Sequence, residues 1–133
     1  HHIRSLKHIP INSVLHTFTA KEYVDNPTYL SVQVDEDKHI LLSPEFLQYI
    51  NHSCEPNTFF NTQTWEVVAI RDIKENEEIT FFYPSTEWEI TQPFECFCHT
   101  ESCLGKIQGA SQLNNTVINK YRLAEHIKKK LLR

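Results

Sequence analysis

Cys96, Cys98 and Cys103 form a C-x-C-x-x-x-x-C cluster followed by Leu104-Gly105, and Cys54 is the remaining cysteine of the chain. Thiols crowded at this spacing suit zinc better than disulfides. A C-x-C pair rarely reaches disulfide geometry, whereas zinc takes four ligands in a tetrahedron at ~2.3 Å from sulfur. Three ligands are local. Cys54 would supply the fourth and use up the cysteine inventory, with His99 and His52 as competing fourth ligands. Disulfides and unpaired core cysteines are the competing readings of the cluster. A second constellation is Asn51-His52-Ser53-Cys54-Glu55-Pro56-Asn57, in which two Asn, a His and a Ser surround a Pro. Such polar groups need hydrogen-bonding work, and standing alone they read as a turn with Asx-type bonds. A third block, Glu78-Ile79-Thr80-Phe81-Phe82-Tyr83, ends a branched and aromatic run on a phenol.

These residues must be held by a mostly β framework. Ile9 to Phe18 reads as two short strands broken by Pro10-Ile11-Asn12-Ser13. Tyr29 to Val34 alternates with the period of a strand, turns at Asp35-Glu36-Asp37-Lys38 and returns through His39 to Leu42. Ser43-Pro44-Glu45 has the form of a helix start, with Ser as N-cap and Pro at the first helical position, and the helix ends near Ile50. Thr64 to Ile70 and Glu78 to Tyr83 are β-branched and aromatic runs between polar turns, hence strands. From Thr116 onward, Val117, Tyr121, Ala124, Ile127 and Leu131 recur at helical spacing and predict one amphipathic helix. Its Lys128-Lys129-Lys130 run complements the helix dipole.

A chain of 133 residues fits one domain. With 40% hydrophobic residues it can build a core. No apolar run approaches the ~18–20 residues of a membrane span and no export signal opens the chain, so membrane insertion and secretion are not expected. The chain has no Met, and His1-His2 reads as a tag remnant or a cut into a longer protein. From Lys120 to Arg133 stand six of the 13 Lys/Arg and one of the 17 Asp/Glu, which leaves the body with seven against sixteen, a net of −9. An acidic body disfavours a grip on duplex DNA, and direct nucleic-acid binding is not expected. It suits a basic partner. The competing reading is that the acidic clusters only solvate turns.

Asn51-His52-Ser53-Cys54-x-Pro56-Asn57, the Glu78 to Tyr83 block and the cysteine cluster, in this order and spacing, resemble the SET-domain protein lysine methyltransferases with a post-SET zinc segment. The resemblance runs from about Ile3 to Ile107. It implies a mainly β fold, small sheets of β-clip type around a pseudoknot, to which the C-terminal amphipathic helix is added. The divisions are residues 1–92 as SET domain, 93–109 as post-SET zinc segment and 110–133 as C-terminal helix. The activity implied is transfer of methyl groups from S-adenosylmethionine to the ε-amine of a lysine in a basic protein or peptide. Tyr83 would be catalytic. Asn51, His52, Tyr83, Phe97 and Leu104 would contact the cofactor, and Asn57 would hold the knot. Phe81, Phe82 and Trp88 would line the lysine channel, with core packing as the competing role. Cys54, Cys96, Cys98 and Cys103 would hold Zn(2+). Phe81, two before Tyr83, would leave room for a di- or trimethyl product.

This sequence departs from the family pattern in several places. The usual Gly-x-Gly aligns with His1-His2-Ile3, Gln48 stands where Arg is common, Phe82 replaces a frequent Asp, and the insert from Thr19 to Tyr29 is minimal. A catalytically inactive SET module that binds a peptide or protein is the rival expectation. A methyltransferase acting on a small molecule or a non-histone protein is the third. Thiolates that hold a metal imply an intracellular compartment, cytoplasm or nucleus.

Overall fold

The computed structural model describes residues 3–132, so His1 and His2, where the Gly-x-Gly was expected, lie outside the described residues. A five-stranded sheet has the order β1-β7-β6-β8-β5, from β1 (Val14–Thr17), β7 (Glu66–Ala69), β6 (Thr58–Asn61), β8 (Thr80–Phe81) and β5 (Asn51–His52). A three-stranded sheet joins β2 (Thr19–Val24), β4 (Lys38–Ser43) and β3 (Ser31–Asp35) in the order β2-β4-β3. β9 (Phe94–Glu95) and β10 (Lys106–Ile107) form a short ribbon that brackets the clustered cysteines.

The crossing of the chain is at β8. This strand pairs in parallel with β5, Asn51 opposite Thr80 and His52 opposite Phe81, and it pairs in parallel with β6 through Thr58 and Phe81. β5 and β6 are joined by residues 53–57, so the later strand passes between two strands linked by an earlier loop. That is the pseudoknot. Asn57, fully buried, fixes it: its Nδ2 donates to the Glu78 carbonyl at 2.8 Å, and its Oδ1 accepts the Thr80 N–H at 2.9 Å. The Thr58 hydroxyl adds a bond to the Thr80 carbonyl at 2.7 Å. An amide side chain serves here because it both donates and accepts.

Side chains alternate across β6 and β8, and the alternation divides the core. Phe60 and Phe81 point into a cluster with Phe18, Leu42, Leu47 and Ile50, which fills the space between the two larger sheets. Phe59 points the other way, toward Leu123, Ala124 and Ile127. Phe82 follows it and stacks on Tyr121, ring centroids 3.7 Å apart.

The single C-terminal helix is replaced by two pieces. α1 (Asn115–Ile118) is capped by the Asn114 side chain, which accepts the Val117 N–H, and α2 (Glu125–Leu131) starts only after Ala124. The intervening residues are taken by tertiary contacts. The Tyr121 hydroxyl donates to the Cys54 carbonyl at 2.7 Å, and the Ala124 N–H donates to the Ser85 carbonyl at 2.8 Å. Helical periodicity loses to these contacts because short helices are marginal without packing. Other differences are local. Ser43 ends β4, so Pro44 occupies the cap of a 3-10 helix over Glu45–Tyr49 with no side-chain cap bond. Trp65 turns with φ +59° before β7, and Tyr83 leaves the strand to open a 3-10 turn over Tyr83–Ser85. Thr19–Val24, read as a minimal insert, is the strand β2.

Gly109 seats the C-terminal segment against the chain that follows Tyr83. A Cβ at Gly109 would collide with the Trp88 carbonyl oxygen and the Glu89 Cα. Backbone on backbone cannot yield as a side chain does. Gly109→Ala is expected to lower unfolding free energy by about 1–3 kcal/mol through overpacking, read by thermal or urea denaturation.

Candidate active site and metal centre

The sulfur atoms of Cys54, Cys96, Cys98 and Cys103 all lie within 4.8 Å of one another. Cys54 and Cys96 are 3.9 Å apart, nearly twice the ~2.05 Å of a disulfide, so the disulfide reading falls. A tetrahedron with Zn–S of ~2.3 Å has edges of ~3.8 Å, and the four thiols fit it. Burial pushes the Cys54 and Cys96 thiols up, Cys96 to about 11. At Cys98, where burial acts the same way, bonds from the Thr100 hydroxyl and its neighbours outweigh it and bring the thiol down to about 6. A divalent cation removes the repulsion that opposes four thiolates in one place. Of the competing ligands, His99 is exposed, and His52 places its Nε2 3.4 Å from the Cys54 sulfur, beside a ligand rather than in its stead.

His52 ties this centre to the knot. Its Nδ1 accepts the Tyr83 N–H at 3.1 Å, and its ring meets those of Phe82, Tyr83 and Phe94. Burial lowers it to about 4, so the imidazole is neutral and can accept that bond. Asn51 donates from Nδ2 to a Glu78 carboxylate oxygen at 2.8 Å.

Tyr83 stands at the far side of the knot, its hydroxyl donating to the Ile50 carbonyl at 3.1 Å. Burial pushes the phenol up to about 12, so it stays protonated. Beside it opens a cavity of about 640 Å³, lined by Leu42, Leu47, Ile50, Phe81 and Phe94 among apolar residues and by Glu87 and Glu89 among acids. The structure brings Phe81 and Tyr83 together there. It does not bring Phe82, which faces Tyr121, nor Trp88, whose indole packs with the C-terminal cluster under Lys130. Leu104 is half-buried by the cysteines, its N–H donating to the Cys54 sulfur at 3.3 Å, while Phe97 is 75% exposed. Sequence reasoning passed over Glu87 and Gln33. A carboxyl four residues past a reactive phenol, between Thr86 and Trp88, was the available signal, since acids in apolar company mark sites.

Among the described residues no helix is long and apolar enough to cross a membrane. Comparison with known proteins agrees with this architecture. A family model described as SET domain matches residues 2–84. Methyltransferase flvH of Aspergillus flavus is 40% identical over 127 residues, 94% of this chain and 71% of that protein. The histone-lysine N-methyltransferase ash1 of Drosophila melanogaster is 37% identical over 49% of this chain but 3% of its own length. In structure, the chain resembles KRYPTONITE solved with mCHH DNA, an H3(1-15) peptide and SAH, at a TM-score of 0.60 and 22% identity, covering 79% of this chain and 26% of that one. The knot, the spacing of the three blocks and the family match together make this chain a member of the SET-domain family.

Proposed function

We propose that the chain transfers methyl groups from S-adenosylmethionine to the ε-amine of a lysine in a basic protein or peptide, carrying it to the di- or trimethyl state. The observation that carries this reading is the Tyr83 phenol, held by the knot at the wall of an apolar cavity. The names of the relatives support it, because flvH is a methyltransferase and ash1 a histone-lysine N-methyltransferase.

The site fits the cofactor in size and chemistry. A cavity of about 640 Å³ accommodates a nucleoside-sized ligand, its walls are largely apolar, and its acids favour a sulfonium cation. S-adenosylmethionine, when bound, supplies an electrophilic methyl group. Of the cofactor contacts that the resemblance implies, Tyr83 lines this cavity, whereas Asn51, His52, Leu104 and Phe97 lie outside its lining and would meet the cofactor only where it extends along the knot toward the cysteine ribbon. Tyr83, whose proton is given to Ile50, keeps oxygen lone pairs with which to accept from the amine and orient it. Phe81, Leu47 and Ile50 keep water out, which disfavours the ammonium form of a lysine with an ordinary pKa of ~10.4.

Phe81 is 6% exposed and its ring centroid lies 4.7 Å from that of Tyr83. A hydroxyl added there would hold the amine or a water and hinder rotation of the methylated product. Phe81→Tyr is expected to shift the product toward monomethyl-lysine, read by mass spectrometry at long incubation. Monomethyl product alone from the parent protein would refute this account of Phe81. The acidic body, net −9 outside the last fourteen residues, steers basic substrates. Apparent substrate affinity is expected to fall as salt rises and the screening length shortens toward ~8 Å at physiological ionic strength. The deciding experiment is incubation with methyl-labelled cofactor and lysine peptides. Incorporation supports the reading, and binding of peptide without incorporation supports an inactive SET module.

A further inference from the structure

The cavity wall holds a carboxyl that methyl transfer as described leaves without a task. Glu87 is 8% exposed and lines the cavity with Tyr83. Its Oε2 accepts the Gln33 backbone N–H at 2.9 Å and the Thr86 hydroxyl at 2.7 Å. Its Oε1 has no hydrogen-bond partner among the described residues. The backbone around it is fixed on both sides: the Glu87 N–H donates to the Tyr83 carbonyl at 3.1 Å, and the Glu87 carbonyl accepts the Ala110 N–H at 2.9 Å. Gln33 is held in turn, its Oε1 accepting the Trp88 N–H at 2.9 Å and its Nε2 donating to the carbonyls of Asp35 and Glu36. One oxygen is therefore anchored and the other is left for a ligand. A glutamine would satisfy Gln33 and Thr86 equally well without burying an acid.

We propose that Glu87 receives the ammonium group of the substrate in this cavity and takes its proton, so that the site selects aliphatic amines that arrive in their charged form. The ammonium contact stands on the cavity itself, while the use made of the freed amine rests on the methyl-transfer reading. In the step, an N–H bond of the ammonium breaks and an O–H bond forms on Glu87 Oε1. The electron pair stays on nitrogen, which becomes the neutral nucleophile. The proton passes from Glu87 to water after each transfer, so that the carboxylate is free to deprotonate the methylated ammonium before the next.

Burial pushes the Glu87 carboxyl up to about 7, against the lowering effect of the bonds from Gln33 and Thr86. A base that titrates near neutrality is suited to this work. The charged and titratable groups around it are Tyr83 on its own segment, Glu89 on the cavity wall, Asp35, Glu36 and His39 on the hairpin behind Gln33, and His126, whose Nε2 lies 2.7 Å from the Thr86 carbonyl. Burial lowers both histidines and raises the tyrosine, so near pH 7 none of these three competes for the proton.

The probe is n-butylammonium, a truncated lysine side chain that stays charged from pH 5 to 9, titrated by NMR into the protein without cofactor. Parent affinity is expected to rise about tenfold from pH 5.5 to 8.5 as Glu87 ionises. Glu87→Gln is expected to lose that dependence and to bind about tenfold more weakly at pH 8.5. With a lysine peptide, the acid limb of the kcat/KM profile near pH 7 is expected to vanish in Glu87→Gln, whose deficit of about 100-fold at pH 7 narrows toward pH 10, where free amine is already present. A flat parent affinity across that pH range, or Glu87→Gln binding as tightly as the parent, overturns the proposal. Should the variant not fold, the parent pH series decides alone. Parent protein that binds butylammonium with the expected pH dependence but transfers no methyl group supports Glu87 as an ammonium site and sinks the methyl-transfer reading.

Discussion

Tyr83→Phe lowers methyl transfer by about 10²–10³ while the fold persists. One hydroxyl is removed, and a preorganised polar group at a reacting centre is worth about 2.7–4 kcal/mol of barrier. Among the described residues the hydroxyl's hydrogen bond runs to the Ile50 carbonyl alone, while the ring keeps its contacts with His52, Phe81 and Phe94. The Tyr83 N–H remains on His52 Nδ1, so the link to the cysteines is intact. Single-turnover methylation measures the loss, and circular dichroism with zinc content measures what is kept. A variant that methylates at near the parental rate would hand the role to another group.

Cys54→Ser has a larger effect on the molecule as a whole. Structural zinc contributes folding energy directly, about 10–16 kcal/mol of apparent binding energy in zinc-finger peptides. Here the loss is transmitted. Cys54 Sγ accepts the Leu104 N–H and neighbours His52 Nε2, and the Cys54 carbonyl accepts the Tyr121 hydroxyl. Zinc content by elemental analysis, melting temperature and cofactor affinity are expected to fall together, and a chelator should reproduce the change in the parent. Full zinc occupancy in Cys54→Ser would move the fourth ligand to His99 or His52. Cys103→Ser tests the other end of the cluster with the same readouts.

The cysteines and the knot were legible because their signals are discrete. Four thiols and four tetrahedral positions match without any knowledge of the fold, and Asn57 sits among residues that need partners. The hairpin around Asp35-Lys38 was legible from period-two alternation. The C-terminal segment was not, since the spacing of Val117, Tyr121, Ala124 and Ile127 serves a helix and a meandering chain equally; the Phe82 ring and the Ser85 carbonyl, distant in sequence, decide between them. The direction of Phe82 shows the same limit. Alternation tells that Phe81 and Phe82 part company, but which of them faces the cavity depends on the parallel register with β5. Glu87 was harder to read for another reason: its place four residues past Tyr83 was a signal, but its hydrogen bond from Gln33, fifty-four residues earlier, leaves no trace in the local sequence.

The wall behind Tyr83 is made from chain that is synthesised late. His126 reaches the Thr86 carbonyl across forty residues of sequence, and Ala124 reaches Ser85 on the same stretch. At roughly 5–20 residues per second on the ribosome, those forty residues take about 2–8 s to arrive. Until that segment has docked, Phe82 has no Tyr121 to cover it and the backbone ahead of Glu87 has no brace. The knot and the wall behind it are thus completed in two steps, and a chain cut ahead of Tyr121 would keep the strands of the knot while leaving Phe82 and the Ser85 carbonyl uncovered.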